Sequence, residues 1–152
     1  MMHRWAARLL VLALCALVVG QLSAQGGQQS SKDPAAASEL KQNYPNPFNP
    51  ETRIPFSVGG YPNCVDPARR YRVSLRIFNV IMQQVAIPVL QGGSSGVAGG
   101  QPLSNLMLTC GEYTAYWDGK VARTGREAAS GIYGYRLEVN GVPKMRKMII
   151  SK

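Results

Sequence analysis

The feature that most constrains this chain is a set of short stretches in which apolar and polar residues alternate. From Tyr71 to Asn79, Val73, Leu75 and Ile77 fall on one side of an extended backbone, while Arg72, Ser74 and Arg76 fall on the other. The pattern returns in residues 111–117, where Tyr113, Ala115 and Trp117 share a side. It returns again in residues 130–139, with Tyr133, Tyr135, Leu137 and Val139. A period of two marks a strand with one buried face. Turn signals separate these stretches. At Asp118 and Gly119 the carboxylate can bond local backbone and the glycine accepts positive φ. Asn140 and Gly141 favour a tight hairpin, with residues 144–150 returning and Met148 and Ile150 on one side. The succession predicts an all-β, two-sheet β-sandwich rather than an α/β fold.

Other segments carry weaker signals. Ile54, Phe56 and Val58 share a face of a candidate first strand, and Pro55 within it lacks a donor, which places that strand at an edge or beside a bulge. Residues 59–70 read as a polar loop carrying Cys64, and Val85 to Leu90 as one β-rich segment after a poorly marked turn. Residues 91–100 are mostly glycine and serine. Leu103, Leu106 and Leu108 suit the core, in a short strand or an irregular turn.

The N-terminus has a basic head, with Arg4 and Arg8, and then an uncharged run from Leu9 to Val19. That is the form of a secretory signal, too short for a comfortable bilayer span. The chain is therefore expected to divide into a signal peptide at 1–24, a disordered Gly-, Gln- and Ser-rich tether at 25–38, and one domain at 39–152. Cys15 suits a lipoprotein signal poorly, because Leu14 stands before it. Removing the leader leaves 15 Lys and Arg against 8 Asp and Glu, a net charge of +7. A basic exported protein can meet a membrane or a polyanionic envelope polysaccharide, and no nucleic-acid partner is expected. Cys64 and Cys110 are then the only cysteines. Pairing would close a loop of about 47 residues, a constraint of about 4 kcal/mol in the chain-entropy model, and an oxidising compartment permits it. Two unrelated thiols are the other reading.

One stretch is more specific than any of these patterns. Leu40, Gln42, Asn43, Tyr44, Pro45, Asn46, Pro47, Phe48, Asn49, Pro50, Glu51, Thr52, Arg53 and Ile54, with Phe56 beyond, resemble the opening motif of the C-terminal sorting domains of the type IX secretion pathway. Trp117, Asp118 and Gly119, then Gly125 and Arg126, residues 129–133, Tyr135 to Leu137, and Arg146 to Met148 continue the likeness. The family is also similar to the immunoglobulin-like module of flagellar hook-capping proteins. The resemblance implies an immunoglobulin-like β-sandwich, a place at the C-terminus of exported cargo, and recognition by an outer-membrane secretion apparatus. It departs from the family at residues 78–85, which lack the turn glycine, so that hairpin is expected to be bulged or frayed. It departs again at Gly134, where an aromatic is common.

Within the motif, Pro45, Pro47 and Pro50 are expected to fix extended backbone. Tyr44 and Phe48 are expected to anchor it to the sandwich, and Asn43, Asn46 and Asn49 to bond local backbone. In the resembled family the final segment belongs to the sorting signal. Here its candidates are Arg146, Lys147, Met148, Ile150 and Lys152: the two apolar residues pack, and the basic ones stay available to an acidic receptor. No metal, cofactor or catalytic residue is expected, since the sole histidine, His3, lies in the leader.

The resulting expectation is a non-catalytic sorting module, in the periplasm in transit and then at the cell surface or outside the cell. Its partners would be the secretion machinery, and envelope polysaccharide or surface-assembly proteins. Because only a tether precedes the domain, a free-standing envelope or appendage module of the same fold stands as the alternative. A sugar-binding sandwich presenting Tyr116, Trp117, Tyr133 and Tyr135 is a third class.

Overall fold

The computed structural model describes residues 37–92 and 97–152; the expected signal peptide and nearly all of the tether lie outside them. The described residues contain strands and no helix. In chain order the strands are β1 (Glu39–Leu40), β2 (Thr52–Val58), β3 (Arg70–Phe78), β4 (Gln84–Ala86), β5 (Val89–Leu90), β6 (Leu106–Thr109), β7 (Gly111–Trp117), β8 (Gly131–Val139) and β9 (Val142–Ile150).

They form two antiparallel sheets. One has the order β1-β2-β7-β5; the other has β4-β3-β8-β9, with β6 also pairing β3. This is the immunoglobulin-like sandwich that the alternation and the resemblance predict. Ile54, Phe56, Tyr113, Ala115 and Trp117 from the first sheet meet Val73, Leu75, Ile77, Tyr135 and Leu137 from the second, all buried. Asn140 and Gly141 make the two-residue hairpin turn between β8 and β9, both at positive φ (48° and 85°).

β2 lies between β1 and β7 rather than at the edge or bulge expected of it, yet Pro55 sits where its missing donor costs least. Arg53 exchanges both backbone bonds with Tyr44 on the outer side of β2, so Pro55 also faces that side, where its carbonyl accepts from Lys41 N–H at 3.0 Å. Ser38, read as the end of the tether, is instead buried, and its Oγ accepts from the Gly59 N–H at 3.4 Å.

Two segments change sheets. Val85 to Leu90 is not one strand: β4 pairs β3, and after Ile87 and Pro88 the chain crosses so that β5 pairs β7. Leucines 103 and 108 fill the core, and β6 crosses at Cys110 into β7. Cys64 and Cys110 are joined, with Cα atoms 5.9 Å apart, and this disulfide fastens the polar 59–70 loop at that crossing.

The β3–β4 hairpin is bulged, its register shifting between Ile77 and Phe78, but it is not frayed. Gly134 leaves room that Met145 occupies, since a Cβ there would lie 2.4 Å from the Met145 Cε.

Candidate functional site: the motif loop against the last strand

Strand β9 is the outer strand of its sheet, with β8 on one side. An uncovered edge of this kind presents unpaired N–H and C=O groups. The proline-rich motif covers it. Gln42 Nε2 donates to the Lys147 carbonyl at 3.1 Å, and Asn46 Oδ1 accepts the Ile149 N–H at 2.9 Å. The Phe48 N–H donates to the Ile149 carbonyl at 3.0 Å, and the Ser151 N–H to the Phe48 carbonyl at 3.1 Å, a short parallel bridge. The two stretches singled out separately in the sequence form one edge.

The loop is fixed from beneath as well. The Phe48 ring is buried edge-on against Trp117, with centroids 5.6 Å apart, and Trp117 meets Tyr133 at 5.9 Å. Asn43 is buried; its Nδ2 donates to the Pro45 carbonyl and to Thr52 Oγ1, each at 3.0 Å. Tyr135 Oη accepts the Asn43 N–H at 3.1 Å and donates to the Lys41 carbonyl at 2.9 Å. Burial raises the Tyr135 phenol above its ordinary value; the Asn43 N–H and Arg146 pull the other way.

Asp118 and Gly119 serve as the turn expected of them. Asp118 Oδ1 accepts the Lys120 N–H at 3.0 Å, and Gly119 has φ 74°. The glycine has a second reason: a Cβ there would lie 2.0 Å from the Pro50 carbonyl oxygen, so the turn and the motif touch backbone to backbone.

Three expectations for the motif need correction. The chain through it is not extended: it bends back so that Tyr44 and Arg53 pair at 2.8 Å, and the peptides before Pro45, Pro47 and Pro50 are cis. Tyr44 does not anchor it, being 72% exposed; the bend turns Phe48 to the core and Tyr44 outward. Of the three asparagines, Asn43 bonds nearby groups as expected. Asn46 reaches instead to the last strand, and Asn49 is exposed and bonds nothing among the described residues.

In the final segment Met148 and Ile150 are buried. The three basic candidates do not form one free cluster. Arg146 Nε donates to the Leu40 carbonyl at 2.6 Å, and Lys152 Nζ pairs with Glu127 at 2.8 Å, lowering the Glu127 carboxyl through that hydrogen bond. Among the described residues, the Lys147 ammonium is the one of the three with no partner.

The aromatic residues do not form a sugar platform. Trp117 and Tyr135 are buried; Tyr116 Oη donates to Glu51 at 2.6 Å, which holds its phenol up; and Tyr133 Oη donates to the Ala129 carbonyl at 3.0 Å. Among the described residues, no three of His, Cys, Asp and Glu gather as a metal site, and no helix is long and apolar enough to cross a membrane.

No family model matches the chain, and no curated protein matches it. Among solved structures it is similar to PorZ, an essential bacterial surface component of the type-IX secretion system of Porphyromonas gingivalis. The identity is 13% and the TM-score 0.42, with 81% of this chain covered; the chain spans 13% of that one.

Proposed function

We propose that this protein is a non-catalytic export module, with residues 39–152 forming a sorting-type domain that an outer-membrane secretion apparatus recognises. The observation that supports this reading most is the interlock of residues 42–48 with residues 147–151. The residues that resemble the sorting family's motif and those that resemble its final signal build one edge of the sandwich. A receptor approaching that edge would meet Lys147 and the exposed Tyr44 on a folded surface. The leader would bring the chain across the inner membrane, and the disulfide suits the oxidising compartment beyond it.

A marker joined ahead of residue 39 tests the reading in a host that has the pathway. Lys147→Glu, with folding matched, is expected to leave the marker in the periplasm while the parent reaches the surface. Equal surface delivery by both would reject the sorting role and favour an envelope module retained in assemblies.

A further inference from the structure

Hairpin tips are ordinarily polar, and the turn between β3 and β4 is not. Between Asn79 and Gln83 it carries Val80, Ile81 and Met82, whose side chains are 75%, 69% and 54% exposed. The turn is nevertheless well fastened. Asn79 Oδ1 accepts the N–H groups of Ile81 at 3.2 Å and Gln83 at 2.9 Å. The Asn79 N–H donates to the Gln83 carbonyl, and its own carbonyl accepts the Met82 N–H, both at 3.0 Å. Met82 is held at φ 61°, where a side chain is seldom found. With the backbone satisfied inside the turn, three large apolar side chains stand in water as one rigid knuckle. None of them belongs to the core, so folding alone gives no reason for them.

The surface around the knuckle continues its chemistry. Phe78 lies opposite Gly134, so Ile132, two residues further along β8, extends past the end of β3 from which the turn departs. Ile132 pairs with Ile149 on β9, and both are exposed. Cations surround this end of the sheet. Lys147 lies opposite Gly134, and the Arg136 guanidinium sits 5.3 Å from the centre of the Phe78 ring. Arg123 follows Ala122, whose N–H donates to the carbonyl of Val85 in β4 at 2.8 Å. The nearby acids already have partners: Glu138 faces Arg76 and Arg136 at 3.8 and 3.7 Å, and Glu127 holds Lys152.

We propose that the knuckle at residues 80–82, with Ile132 and Ile149, docks on the surface of an anionic phospholipid bilayer. An apolar tip within a basic surround matches the layering of that surface. Side chains enter the acyl boundary while Arg123 and Lys147 stay at the level of the phosphates. A convex tip suits a fluid bilayer better than a flat protein face, and its small size makes the attachment weak and reversible. This docking does not depend on the secretion reading, since it requires only that the folded domain meet a bilayer.

The test uses the full chain carrying Trp5→Phe, so that the leader contributes no indole, with Ile81→Trp as the reporter and the buried Trp117 as background. Vesicles of phosphatidylglycerol brominated in the acyl chains should quench the introduced indole strongly, and zwitterionic phosphatidylcholine vesicles brominated likewise should not. Arg123→Glu and Lys147→Glu should each lower the anionic partitioning by at least about fivefold, and raised salt should do the same. In flotation with phosphatidylglycerol vesicles, joint replacement of Val80, Ile81 and Met82 by serine should remove the folded domain's share of binding, with the circular dichroism unchanged. No quenching by either vesicle would overturn the proposal. So would equal quenching by both, or a concentration-dependent dimer that the serine variant abolishes, which would assign the knuckle to self-association.

Discussion

The side-chain oxygen of Asn46 accepts the backbone N–H of Ile149 at 2.9 Å, across 103 residues of sequence, and Phe48 bridges the same strand from two residues further on. The two contacts are unequal in energy. The Asn46 bond is exposed, so Asn46→Ala should cost about 1 kcal/mol. Phe48 is buried against Trp117, and Phe48→Ala should cost about 3–5 kcal/mol. Urea denaturation of both variants measures the difference.

The same burial fixes what a deletion at the end of the domain can report. Removing residues 147–152 takes Met148 and Ile150 out of the core and strips the partner strand from Phe48. That variant should fail to fold, seen as lost protease resistance and a broadened thermal transition. Lys147→Glu touches none of this and should change stability by less than about 0.5 kcal/mol. The point substitution therefore tests the surface role of Lys147 in a domain that stays folded, and Arg123→Glu, which lies off the motif edge, separates a lipid contribution from recognition.

Tyr135 predicts a response to alkali. Its hydroxyl serves Lys41 and Asn43, so Tyr135→Phe leaves a buried donor and acceptor unmet and should cost about 1–3 kcal/mol at neutral pH. Burial raises the phenol above its ordinary 10.0 in the folded state. The folded protein then holds a proton that the unfolded chain releases, so this contribution is complete below pH 10 and lost as pH rises through the folded value. Melting temperatures between pH 9 and about 11.5 should fall more steeply for the parent than for Tyr135→Phe.

Reducing the Cys64–Cys110 bond, whose sequence separation is 46, should remove about 4 kcal/mol by freeing the unfolded chain. Denaturation with and without reductant measures it, and replacing both cysteines by serine should reproduce the loss.

Gly119→Ala should be severe for so small a change. The methyl group would meet the Pro50 carbonyl oxygen and would also force an unfavourable φ, together costing about 3 kcal/mol or more. Gly141→Ala is a control of the same φ class with open space around it, and should cost about 1 kcal/mol, read from the same melts.

Alternation made the long strands legible, because Val73, Leu75 and Ile77 or Tyr113, Ala115 and Trp117 have one sensible inward face. It could not divide residues 85–90 between the sheets, since a period of two identifies a face and not a partner. The departure at residues 78–85 was legible, but the hairpin's firmness depends on one side chain, Asn79, whose oxygen holds two backbone N–H groups. Most hidden was the edge joining the motif to β9. Its bonds run from side chains and backbone of the motif to backbone about a hundred residues away, and no pattern within either stretch carries them.

That edge also sets an order of events for any chain that is made or threaded from its N-terminus. Residues 40–56 emerge early, yet the backbone groups that Phe48 and Asn46 bond along the edge belong to Ile149 and Ser151. Until β9 arrives, β8 lacks its outer partner and the Phe48 backbone lacks its bonds to Ile149 and Ser151. Closure of this edge therefore waits for the last strand, however early the motif itself is made.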